Sequence, residues 1–175
     1  MTEPRDVEQT EPKRSILLEY DQNAEQFESQ VRVRFRVGRT ELLVGQNETG
    51  ESVPGIRLLI PPFATFGMAC LRLTRQVGHA ALELDDYAQE LLFKISGEDV
   101  LICSTMLRTT VPVNFEQLFE AWQSFALKVK GSVIKRHPEK VDYGYWALID
   151  QHPDSTLAEE LTRGFWFEER IDCFK

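Results

Sequence analysis

The sequence predicts an α+β fold: an antiparallel sheet built from hairpins, with one long helix and one or two shorter helices packed on one face. Two observations carry this expectation. Most β-like runs come in pairs joined by short turns, and the stretch from Asn114 to His137 keeps a helical period throughout. A third works by exclusion. Neither the regular strand–helix alternation nor the glycine-rich first turn of a parallel nucleotide-binding sheet is present in the sequence.

In chain order, residues 1–14 are polar, charged and proline-containing, and are expected to be a disordered tail ahead of a single domain over 15–175. Ser15 to Tyr20 reads as a short first strand. Phe27 to Val37 gives a clearer one: Val31, Val33, Phe35 and Val37 alternate with Arg32, Arg34 and Arg36, which puts apolar residues on one face and arginines on the other. Gly38-Arg39 is a turn into Thr40 to Val44, completing a hairpin. Gln46 to Gly55, punctuated by Gly50, Pro54 and Gly55, reads as a loop, and Ile56 to Ile60 as another strand.

From Phe63 the period changes. Phe63, Phe66, Cys70, Leu73 and Val77 step by three and four, so Pro62 to Gln76 is predicted helical, with a proline start and a glycine stop at Gly78. Gly67 is a weak point within it. Ala80 to Leu84 is ambiguous, and Asp85-Asp86 reads as a turn. Gln89 to Ile95 and Val100 to Met106 form a second hairpin around Ser96-Gly97-Glu98-Asp99. Thr109 to Val113 continues extended, with Arg108 and Pro112 marking an edge or break.

The long helix then follows. Phe115, Leu118, Phe119, Trp122, Phe125, Ala126, Val129 and Val133 recur at helical steps on one face. Asn114 suits the N-cap, Gln117 stands where a capping box returns its bond, and Pro138 stops the helix. Gly131 marks a kink or a close approach to the sheet. Beyond Pro138, the chain holds Tyr143 to Ile149, a capped short helix near Ser155 to Thr162, and the aromatic run Phe165 to Phe174.

Composition narrows function mainly by exclusion. A net charge of −8 argues against general binding to nucleic acid or anionic membranes, both of which need a basic surface. No apolar run is long enough to span a membrane, and the N-terminal residues lack a hydrophobic signal region. Cys70, Cys103 and Cys173 are widely spaced and odd in number, so they read as free thiols in a reducing cytoplasm rather than a disulfide or zinc framework.

The sequence shows no GxSxG, GxxxxGK[ST] or GxGxxG pattern, and His79, His137 and His152 lie at no metal-ligand spacing. No catalytic residue, cofactor or metal site is therefore assigned. The arginine stripe Arg32, Arg34, Arg36, extended by Arg39, has two readings: an anion surface, or a solvated strand face paired with acidic neighbours. The second is favoured, because the chain is acidic and no aromatic shares the arginines' face of the strand.

The region after Pro138 is the most suggestive. Residues 139–175 hold nine acidic side chains against four basic ones, together with Tyr143, Tyr145, Trp146, Phe165, Trp166, Phe167 and Phe174. Aromatic anchors ringed by carboxylates suit a surface that meets a basic protein, and Tyr143, Tyr145, Trp146, Trp166, Glu168 and Glu169 are its candidate contacts. The competing reading is that these aromatics finish the core.

In size, acidity, α+β pattern and lack of motifs the chain resembles immunity proteins that neutralise bacterial polymorphic toxins. The likeness rests on no motif and transfers no residue roles. It implies a non-enzymatic inhibitor covering a basic partner. The alternative from another class is an enzyme or small-ligand-binding domain whose site, drawn from residues such as His79, His137 and separate carboxylates, forms only in three dimensions. A plain homo-oligomer, with no role assigned to it, is the third expectation.

Overall fold

Alternation in the first half of the chain produces strands whose two faces differ sharply. A computed structural model describes residues 14–21, 30–84, 89–150 and 174. Strand β1 (Ile16–Tyr20) pairs antiparallel with β2 (Val31–Val37), which continues through a turn at Gly38 into β3 (Thr40–Glu41). In β2 the valines and Phe35 are buried while Arg32, Arg34 and Arg36 lie half-buried on the other side, as the period of two requires.

The predicted loop over 46–55 contains a further hairpin. Strands β4 (Val44–Gln46) and β5 (Ser52–Pro54) pair across a turn in which the Asn47 side chain accepts from the Thr49 and Glu51 backbone amides. These strands are too short to show alternation, so only the turn chemistry was visible in the sequence. Strand β6 (Ile56–Leu58) then returns to pair with β2 beside Val31–Val33.

Helix α1 (Ile60–Val77) begins two residues earlier than the periodicity predicts, with Pro61 and Pro62 tolerated in its first turn, where amide donors have no intrahelical partner. Gly78, at φ 92°, closes it in the left-handed conformation. The ambiguous stretch that follows is strand β7 (His79–Glu83), and β8 (Glu90–Ser96), β9 (Asp99–Ser104) and β10 (Thr109–Asn114) complete a second antiparallel sheet in the order β10-β9-β8-β7. Pro112 stands in β10, an edge strand, which is where a missing amide donor does least harm to a ladder.

Helix α2 (Phe115–Arg136) is capped by the Asn114 side chain, which accepts from the Gln117 amide at 3.1 Å. The capping-box return bond is not made. Gln117 donates its side-chain amide to the Arg14 carbonyl at 2.9 Å, so it ties the start of α2 to the chain just ahead of β1. Gly131 is not a close approach either, since nothing lies within 4 Å of where its Cβ would stand.

Both sheets turn an apolar face to the helix pair. Trp122 of α2 stands at the junction, fully buried, with ring centroids 5.4 Å from Phe35 of β2 and 6.3 Å from Phe93 of β8. The fold is therefore α+β, with antiparallel hairpin-built sheets and helices packed upon them. Most of the tail expected over residues 1–14 falls outside the described residues, as do the Asp85-Asp86 turn and the short helix near Ser155 to Thr162. No helix among the described residues is long and apolar enough to cross a membrane.

The cysteine expectation is corrected. Cys103 of β9 is disulfide-bonded, whereas Cys70 of α1 is a buried free thiol. Cys173 lies outside the described residues. Wide spacing in sequence does not measure distance across a sheet, so it could not reveal the bond. The cytoplasmic expectation drew on free thiols, and that support is removed for Cys103.

Candidate functional site

After α2 the chain makes two short turns of 3-10 helix, Pro138–Asp142 and Gly144–Trp146, and one turn of helix α3 (Ala147–Asp150). Short, proline- and glycine-punctuated pieces of this kind cannot bury much surface alone, so their positions depend on what they dock against. Trp146 is only 3% exposed. Its indole N–H donates to the Lys140 carbonyl at 2.9 Å, folding the two turns onto each other. Tyr143 packs against Trp146 at 5.1 Å and against Tyr145 at 5.2 Å, and lies half-buried.

Tyr145 faces outward. It is 37% exposed and rests edge-on against Phe66 of α1, 5.3 Å between centroids. Val141, at 53% exposure, lies on the preceding turn, with Glu139, Asp142 and Asp150 also exposed. Of the predicted contacts, then, Trp146 completes the core, Tyr143 forms a base, and Tyr145 reaches solvent. Trp166, Glu168 and Glu169 lie outside the described residues.

The segment is fixed from below by a residue with no distinguishing mark in the sequence. Arg72 of α1 has no exposed surface, and its guanidinium donates to the main-chain carbonyls of Leu148 and, at 3.3 Å, Ile149. The Phe119 ring of α2 lies 5.5 Å from it. Burial pushes the Arg72 pKa down to about 10, partly offset by the nearby Asp150 carboxylate, so it stays charged at neutral pH. Gln123 of α2 donates to the same Ile149 carbonyl at 3.0 Å, and Lys130 lies 3.4 Å from the Asp150 carboxylate. A buried charge is tolerated only when such partners surround it. Hydropathy shows Arg72 simply as a charge between Leu71 and Leu73.

Burial, with a smaller contribution from Tyr145, raises the Tyr143 pKa, so its hydroxyl stays protonated. Beside this face, between β6, α1 and the end of β7, a cavity of about 50 Å³ is lined chiefly by apolar groups including Leu58, Phe63, Phe66 and Leu84. That is room for a water or a small alkyl group, far below the ~300 Å³ or more of an ordinary small-molecule site.

The arginine stripe is largely engaged with the protein itself. Arg34 bridges Glu19 at 3.4 Å and Glu41 at 2.5 Å, and its pKa rises mainly through the bond to Glu41. Arg32 donates to the carbonyls of Pro54 and Gly55 at 3.3 and 3.0 Å. Arg36 stands between Leu17 and Glu41 in the ladder and keeps a buried Nε without a hydrogen-bond partner. Among the described residues no group of three or more His, Cys, Asp or Glu side chains is placed to hold a metal ion.

No family model, curated protein or solved structure matches the chain.

Proposed function

We propose that the protein is a non-enzymatic binding domain whose face over residues 138–150 engages a basic protein partner. One observation carries the reading. Tyr145 and Val141 stand exposed among Glu139, Asp142 and Asp150, on a segment whose backbone is held by the buried Arg72. Anchors presented on a fixed backbone lose little conformational freedom on binding, and flanking carboxylates speed the approach of a cationic surface. An immunity-type inhibitor, covering a basic toxin domain, is the specific form of this function that the chain's size and acidity favour.

The test is affinity capture from the native host with wild type and with a Tyr145→Ala/Asp142→Lys double variant. The wild type is expected to retain one stoichiometric basic protein, and the purified pair to weaken about tenfold or more in the variant, as for loss of an interface anchor. An unchanged dissociation constant, with the variant's melting temperature preserved, overturns the assignment of this face. A captured partner that is acidic overturns the electrostatic part of it.

A further inference from the structure

Three consecutive residues of β8, Leu91, Leu92 and Phe93, are all fully buried. Successive strand residues point to opposite faces, so both faces of the second sheet are covered there. The helices cover the Leu91 and Phe93 side. On the other side, Ala81, Leu92 and Cys103 stand in one cross-strand row over β7, β8 and β9, and form a small apolar cluster of their own. Among the described residues the hydrophobic side chain packed against that row is Phe174, whose ring also takes the Lys94 ammonium at 5.9 Å. A single ring does not close three positions on three strands to solvent.

We infer that this outer sheet face is the docking surface for the chain's own C-terminal segment, residues 151–173, locked there by a disulfide between Cys103 and Cys173. The cysteine count supports the pairing. The chain has three cysteines, Cys103 is disulfide-bonded, and Cys70 is a free thiol, which leaves Cys173 as the partner within the chain. Cys103 has no exposed surface, which is incompatible with a bridge to a second molecule. Cys173 is also the neighbour of Phe174, whose ring already rests on the Cys103 cluster, and adjacent Cα atoms are only ~3.8 Å apart. A disulfide asks for Cα atoms within roughly 4.4–6.8 Å.

The identity of the occupant follows from composition and reach. Residues 151–173 carry Leu157, Leu161, Phe165, Trp166, Phe167 and Ile171. Residues 1–13, 22–29 and 85–88, also outside the described residues, are mostly charged or polar, with Phe27 the one large apolar side chain of 22–29, and offer little to cover an apolar row. The segment starts after Asp150 on the helix side and ends at Phe174 on the far side. At ~3.3 Å per extended residue it spans the sheet edge, where strands are ~4.8 Å apart, with length to spare.

The lock is redox-sensitive. A small dithiol reductant gives two electrons and two protons, returns Cys103 and Cys173 to thiols, and leaves as its own cyclic disulfide. The segment is then held by side-chain packing alone. This inference concerns what covers the sheet and is independent of the binding function proposed above.

The intact chain tests it directly. In denaturant without reductant, one thiol, that of Cys70, is expected to react, and three after reduction. Peptide mapping without reduction is expected to yield one linked pair containing Cys103 and Cys173. Trypsin then reports docking, because Arg163 and Arg170 lie in the segment: reduction is expected to speed cleavage there about tenfold. Cys173→Ser is expected to cleave fast with or without reductant. Three reactive thiols before reduction overturn the disulfide. A confirmed disulfide with cleavage at Arg163 and Arg170 insensitive to reduction overturns the docking.

Discussion

Gly67 of α1 and Trp122 of α2 meet so closely that a Cβ on the glycine would fall within the indole ring. The indole N–H meanwhile donates to the Ala64 carbonyl at 3.1 Å, one helical turn back on α1. The two helices thus touch through a missing side chain. Gly67→Ala is expected to lower stability by about 2–3 kcal/mol, the scale of an overpacked core. In thermal denaturation that is a fall of ~2–4 °C per kcal/mol for a chain of this size. In a Trp122→Leu background the alanine is expected to cost much less. Equal costs in both backgrounds would show that the indole is not the obstacle.

Arg72→Met keeps the length of the side chain and removes its donors. The Leu148 and Ile149 carbonyls then lose the guanidinium, though Ile149 retains Gln123. A buried acceptor left unsatisfied costs roughly 1–3 kcal/mol. Hydrogen exchange is expected to quicken across residues 138–150 while β8 and β9 keep their protection. A uniform change across the molecule would mean that Arg72 supports the core and not the segment.

Cys70 gives a pH dependence whose sign is fixed. Its thiol is wholly buried, donates to the Ala81 carbonyl at 3.3 Å, and has its pKa raised by burial. The folded chain therefore keeps this proton while the unfolded chain releases it near pH ~8.5. Stability from this group is complete below that value and is lost as pH rises toward the folded pKa, by at most about 1.4 kcal/mol per pH unit. Denaturant titrations of wild type and Cys70→Ala between pH 7 and 10 check this. The variant is expected to show the shallower decline, and parallel curves would contradict the assignment.

Gly55 is the position at which the first sheet is least tolerant of a side chain. Its φ is +87°, and a Cβ would stand 2.6 Å from the Val33 carbonyl oxygen and 2.9 Å from Cγ of Arg34. Gly50, at φ +81°, has open space around it. Gly55→Ala is expected to destabilise by at least ~2 kcal/mol, because conformational strain and a backbone clash combine, and Gly50→Ala by about 1 kcal/mol. Urea unfolding midpoints separate the two. Similar losses would mean that backbone conformation alone, and not the approach to β2, sets the requirement.

These positions also show what the sequence could reveal. The span of α2 is legible because its apolar residues repeat over six turns and Asn114 and Pro138 bound it. The alternation in β2 gives both its buried face and its arginine face. Gly67 is visible as an anomaly within a helical pattern, but the cause is Trp122, which lies far along the chain. Gln117 suits a capping box locally and is drawn instead to Arg14 by the docking of β1. At the candidate site, aromatic richness draws attention to the segment after Pro138 without separating the exposed Tyr145 from the buried Trp146. That distinction depends on which ring the short turns fold inward. Arg72 had no local signal at all, because its partners are main-chain carbonyls.

Arg72 grips the backbone of residues 148 and 149 and is blind to their side chains. Substitutions along the outward side of this segment can accumulate without loosening its attachment, provided the inward-facing Trp146, Leu148 and Ile149 stay apolar. Such a surface can be rewritten while the scaffold beneath it stays the same.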